Sequence, residues 1–115
     1  MRRLIKSFGY ALSGIAYTTK TQLNFKIHLL AVAVVILLGW FLKLTTSEWL
    51  WIVSAIGLVL VTELVNTAIE LLVDLVSPDF NPQAGKVKDI AAGAVLIAAA
   101  IAVVTGAIIF IPKLI

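Results

Sequence analysis

Cysteine is absent from this sequence, histidine occurs once, and charged side chains make up only 13% of its 115 residues. The lack of cysteine excludes a disulfide framework, a thiolate zinc site and a cysteine nucleophile, and it leaves the redox compartment unread. The scarcity of charge excludes more. A soluble domain of this length needs a polar exterior. With 62% apolar residues and a mean hydropathy of +1.12, this chain does not have one. The solvent it suits is lipid. Nucleic-acid binding is also excluded: nine Lys and Arg outnumber six acids, but they flank apolar runs instead of forming a stripe on a polar domain.

Two further absences narrow the reading. No cleaved signal peptide is expected, because the first long apolar run begins only near Ile27 and ends in the bulky Trp40-Phe41-Leu42-Lys43. No soluble-kinase phosphate loop occurs either. Gly85-Lys86 has Phe80 where the first glycine should stand and Val87 where the hydroxyl should be.

What is present is helical throughout. Leu4, Ile5, Phe8, Ala11, Leu12, Ile15 and Ala16 form one apolar stripe at helical spacing, with Arg3, Lys6, Tyr10, Ser13 and Tyr17 mostly off it. A basic amphipathic helix of this kind lies in a membrane interface or packs on its own protein. Three apolar spans follow. We therefore expect an all-α membrane protein with a single domain over 1–115: an interfacial helix over 1–22, then spans over 25–43, 48–76 and 89–111. The Thr45-Thr46-Ser47 tract with Glu48 reads as a tight turn and helix start. Residues 77–88, with Pro78, Asn81, Pro82 and Gly85, read as a polar loop, and Pro112 as the stop of the last span. Trp40, Trp49 and Trp51 mark one interface. Seven basic residues (Arg2, Arg3, Lys6, Lys20, Lys26, Lys86 and Lys88) fall on one side and two (Lys43 and Lys113) on the other. That bias puts the N-terminus and the 77–88 loop in the cytoplasm.

The second span carries the chemistry. Glu63, Asn66, Glu70 and Asp74 interrupt an otherwise apolar helix. At 100° per residue, Glu70 and Asp74 fall about 20° to either side of Glu63 and Asn66 about 60° away, so all four share a face. Each acid at the centre of a membrane helix costs about 2.5–3.5 kcal/mol. Inter-helix polar contacts would account for Asn66 alone. A line of acids opening toward the cytoplasm can hold Mg²⁺ through oxygen, and Mg²⁺ carries nucleotide phosphates. Lys88 and Asp89 add a cation and another oxygen at the mouth of the third span. A carboxylate, a metal and basic residues are the parts phosphoryl transfer requires. The stripe by itself also suits an ion- or proton-conducting subunit or a non-catalytic assembly protein. His28 reads as an interfacial or inter-helix polar contact.

The run Glu63-Leu-Val-Asn66-Thr-Ala-Ile-Glu70-Leu-Leu-Val-Asp74, with Ala84-Gly-Lys-Val-Lys88-Asp89-Ile-Ala-Ala-Gly-Ala-Val95 after it, closely resembles the small prokaryotic diacylglycerol kinase family. The likeness covers nearly the whole chain. Asn24-Phe25-Lys26-Ile27-His28 and the Pro112-Lys113-Leu114 ending look more like its undecaprenol kinase branch. The resemblance implies a homotrimeric helical bundle with active sites shared between copies, in the bacterial cytoplasmic (inner) membrane. It implies MgATP as donor and a membrane lipid hydroxyl as acceptor, undecaprenol before diacylglycerol. Carried over, Glu63 would be the catalytic base and Glu70 a metal ligand. Asn66, Asp74, Lys88 and Asp89 would complete the nucleotide and metal site. Arg3 and Tyr10 would approach the nucleotide, and Asp79 and Asn81 would sit near its phosphates or sugar. One position departs from the pattern. Many members place a metal-binding glutamate two residues before the Asn-Phe pair, where this chain has Gln22, a neutral and weaker oxygen ligand.

Small residues in Ala91-Ala-Gly-Ala and Ala98-Ala-Ala permit close helix approach on the third span. A bulky substitution at Gly93 or Ala94 is expected to weaken oligomerisation, read as loss of the assembled mass in native mass spectrometry.

Overall fold

The computed structural model describes residues 1–115 as four helices and no strand: α1 (Arg2–Thr21), α2 (Leu23–Phe41), α3 (Thr46–Val76) and α4 (Pro82–Leu114). The last three are long and apolar enough to cross a membrane. At 1.5 Å per residue, the 19 residues of α2 span about 28 Å, close to the hydrocarbon thickness. With 31 and 33 residues, α3 and α4 reach well beyond it.

Local sequence sets each boundary. Gln22 alone is extended (φ −109°, ψ 111°) and separates α1 from α2. At the end of α2, Lys43 takes φ 56° while the Leu44 N–H bonds the Gly39 carbonyl and the Lys43 N–H bonds that of Trp40. This is a Schellman ending with lysine at the left-handed position usually given to glycine. The expected turn before α3 is a full capping box. The Glu48 N–H donates to Thr45 Oγ1 at 3.2 Å, and the Thr45 N–H donates to Glu48 Oε1 at 2.9 Å.

Two boundaries differ from the sequence expectation by more than two residues. The polar stretch read as loop to Lys88 is loop only over 77–81. Pro82 occupies the first helical turn, where its missing N–H costs nothing, and Asn81 Oδ1 caps the helix by accepting from the Gln83 N–H at 2.9 Å. Pro112, read as a stop, lies inside α4. A proline disturbs the turn before it, but the residues after it can still donate backward, and the Ile115 N–H reaches the Ile111 carbonyl at 3.3 Å.

The α3–α4 hairpin carries most of the packing, while α2 and α1 lie more loosely against α3. An ion pair closes each end of the hairpin. Lys88 Nζ donates to Asp74 Oδ1 at 2.6 Å, and Lys113 Nζ lies 3.1 Å from Glu48 Oε1. Near the Glu48 end, Leu44, Ile52, Ile109 and Phe110 form the one hydrophobic core, with Val35, Leu38, Trp49 and Ile56 against it. A Cβ on Gly39 would fall 2.8 Å from the Trp49 ring and 2.9 Å from Leu44 Cδ1, so glycine is what lets α2 approach there.

The rest of the chain is left uncovered. Only 13 of 115 residues are buried, and the accessible surface is 8493 Å², against about 6,100 Å² for a compact soluble monomer of this mass. On α1, the apolar stripe stays open: Leu4, Ile5, Phe8 and Leu12 are 56–65% exposed. Its own protein does not cover it. The third-span Gly93 has nothing within 4 Å of a Cβ position in its own chain. A surface this apolar needs lipid or further protein against it.

Gly39→Ala is expected to lower the melting temperature in detergent, at a cost of about 1–3 kcal/mol for forcing a methyl into filled space. Gly57→Ala, which meets nothing, is the control expected to leave it unchanged or raise it.

Candidate functional site in the seam of α3

The four polar residues of α3 do share one side of the helix, and the neighbouring helices flank it. Leu64, Thr67, Ala68 and Leu71 face α1 across a groove of about 410 Å³ lined also by Tyr10, Gly14 and Thr18. Thr62, Asn66 and Ile69 turn instead toward Ala91 and Ala94 of α4. The acids therefore occupy the seam between the two flanks.

Burial falls along the seam, and each polar residue has its own partner. Glu63 is deepest, with 4% of its side chain exposed, and its Oε1 lies 3.1 Å from His28 Nε2 of α2. The Glu63 carbonyl accepts from Thr67 Oγ1 at 3.0 Å. One turn on, Asn66 Nδ2 donates to Glu70 Oε1 at 3.2 Å, while Asn66 Oδ1 is buried without any partner. An acceptor left in this state costs about 1–3 kcal/mol. At the end of the helix Asp74 is 62% exposed and takes the 2.6 Å bond from Lys88. That pair is exposed at the surface of the chain, where an ion pair contributes little to stability.

The remaining expected residues are more scattered. Tyr10 lines the α1–α3 groove beside the seam. Gln22 is half-buried at the α1–α2 joint. Arg3 is exposed near the start of α1, and its carbonyl accepts from Ser7 Oγ. Asp79 is exposed, and its carbonyl accepts from Ser77 Oγ. The Asn81 side chain is engaged as the α4 cap, and Asp89 is exposed beside Lys88. No group of three or more His, Cys, Asp or Glu side chains converges within one chain. Two buried hydroxyls escaped the sequence reading: Thr67, and Thr18, which donates to the Gly14 carbonyl. Thr67 lies about 40° from Glu63 around the helix, which was the available signal.

The chemistry of the seam is that of oxygen donors graded from a dry end to a wet one, in a protein built to sit in lipid. Comparison with known proteins gives this arrangement a class. Residues 9–110 match the model of the family described as prokaryotic diacylglycerol kinase. An undecaprenol kinase of Bacillus subtilis is 42% identical over 114 residues, covering 99% of this chain and 93% of its own. A diacylglycerol kinase of Synechocystis is 40% identical over 96% of this chain and 64% of its own. That of Escherichia coli K12 is 30% identical over 93% and 88%. The class is a multi-pass membrane enzyme, a lipid kinase. The chain belongs to the prokaryotic diacylglycerol kinase family.

Proposed function

We propose that this protein transfers the γ-phosphate of MgATP to the hydroxyl of a membrane lipid, with undecaprenol the preferred acceptor over diacylglycerol. The observation that carries the reaction is the buried Glu63 carboxylate at the dry end of a seam of oxygen ligands. The acceptor rests on the 42% identity, over almost both full lengths, to a protein named undecaprenol kinase.

In this reading Glu63 accepts the proton of the lipid hydroxyl. The hydroxyl oxygen forms a bond to the γ-phosphorus, the bond from phosphorus to the bridging oxygen breaks, and ADP leaves with that electron pair. A base placed within hydrogen-bond reach supplies about 10²–10⁴ in rate. Glu63 sits where water is scarce, which strengthens its interaction with a polar acceptor group. The residues present fit a hard cation: Glu70 offers a carboxylate, and the partnerless Asn66 Oδ1 beside it is a ready neutral oxygen. Glu70 would hold Mg²⁺ with Gln22, whose amide oxygen weakens the site relative to a glutamate. When bound, the ion neutralises charge on the phosphate oxygens. Lys88, Asp74 and Asp89 at the wet end, with Asp79 and Asn81 in the adjoining turn, would receive the nucleotide, and Arg3 and Tyr10 would approach it from α1.

In this reading the site is completed in a homotrimer whose copies share active sites, as the family resemblance implies; within one chain no three His, Cys, Asp or Glu side chains converge. The uncovered surface of the single chain supports such an assembly. In this reading α1 and the 77–81 turn lie on the cytoplasmic face of a bacterial inner membrane, where ATP is, and the basic bias of the sequence supports that orientation. The conducting-subunit alternative has no observation of its own to favour it.

Purified protein incubated with labelled MgATP and a lipid panel is expected to phosphorylate undecaprenol faster than diacylglycerol. The opposite order would reassign the acceptor. Glu63→Gln is expected to lose transfer by at least about 10²-fold while keeping the assembled mass. Normal turnover in that variant would remove Glu63 as the base.

A further inference from the structure

We propose that His28 is a positioning residue for Glu63: its Nε2, 3.1 Å from Oε1, fixes the orientation of the carboxylate that receives the lipid proton. The inference rests on the base role proposed above for Glu63 and adds to it how that base is aimed.

Three observations carry it. First, His28 is the last polar side chain on α2 before an unbroken apolar run from Leu29 to Gly39. A polar ring at that depth is costly unless it has a partner, and the partner it has is Glu63. Second, among the hydrogen bonds and ion pairs of the chain, the contact with His28 is the only one made to the Glu63 carboxylate; Thr67 bonds the backbone carbonyl, not the side chain. A glutamate has three rotatable bonds, and a base off line by about 1 Å loses about 10²-fold in rate. Holding Oε1 leaves Oε2 as the oxygen presented to the reacting hydroxyl. Third, His28 also lines an apolar groove of about 150 Å³ between α2, α3 and α4, walled by Ala31, Val32, Ala55, Val59 and Leu60. The imidazole thus stands at the border between the carboxylate and hydrocarbon-like space, with 27% of its side chain still exposed.

The alternative is a mechanical one, a polar clasp that holds the loosely packed α2 against α3. The two roles separate by experiment. Two replacements test them: His28→Gln puts an amide N–H donor near the place of Nε2, and His28→Leu fills the space without a donor. With the assembled protein in lipid nanodiscs, His28→Leu is expected to lower kcat by about 10–100-fold. The KM values for ATP and lipid and the assembled mass should stay near those of the unmodified protein, although loss of the buried pair lowers the melting temperature. His28→Gln is expected to recover most of kcat.

Unchanged kcat in His28→Leu overturns the proposal. So does a kcat in His28→Gln no higher than in His28→Leu, or a loss of activity that follows dissociation of the assembly, which is what the clasp predicts. A normal Glu63→Gln enzyme would sink the underlying base assignment instead. An inactive Glu63→Gln beside a fully active His28→Leu would sink only the inference about His28.

Discussion

An ionised carboxylate inside a membrane-crossing helix loses the hydration that keeps it stable, and protein contacts must replace it. This constraint organises α3 and its neighbours. Glu63, nearly sealed, lies against an imidazole from another helix. Glu70 accepts from Asn66 a turn further on. Asp74, exposed near the end of the helix, takes a lysine from the start of α4. The partner is supplied from a different place at each depth, which ties α2 and α4 to the same face of α3. Three contacts between helices, His28 to Glu63, Lys88 to Asp74 and Lys113 to Glu48, follow from that placement.

The same helices leave much undone. Two ion pairs close the ends of the α3–α4 hairpin, and one small core joins α2 to it at the Glu48 end. Elsewhere apolar side chains point outward, including the stripe of α1. Lipid satisfies apolar surface without giving helices a hydrophobic reason to associate, so contact between copies must come from close packing and polar groups. The small residues of α4, such as Gly93 with nothing against it in its own chain, are what this chain offers for that purpose. An active site completed between copies, as proposed, would use the surface one chain cannot cover.

Much of this was legible in residues with a strong local preference. The acid stripe follows from helical spacing alone, and the Thr45–Glu48 capping box from four consecutive residues. The spans follow from apolar run length. The two prolines were harder because their effect depends on position. Pro82 begins a helix since Asn81 caps it, and Pro112 is tolerated since the turn after it still finds acceptors. His28 showed the limit of one-dimensional reading. An inter-helix contact was among the expectations, but which group it meets depends on the crossing of α2 and α3, and no local pattern encodes that. Likewise the pairing of Asp74 with Lys88 became visible only when the helices were in place, whereas the Asn81 cap is a local signal carried by Asn81-Pro82.

As proposed, Glu70 holds a divalent cation for phosphoryl transfer beside the base Glu63. The most direct test of that assignment is Mn²⁺ binding, measured by electron paramagnetic resonance on the assembled protein in nanodiscs with a non-hydrolysable ATP analogue. Nucleotide-dependent Mn²⁺ binding is expected to be lost in Glu70→Gln and kept in Glu48→Gln, whose carboxylate lies at the far end of the same helix. Binding that survives Glu70→Gln, or that never occurs with the nucleotide present, would contradict it.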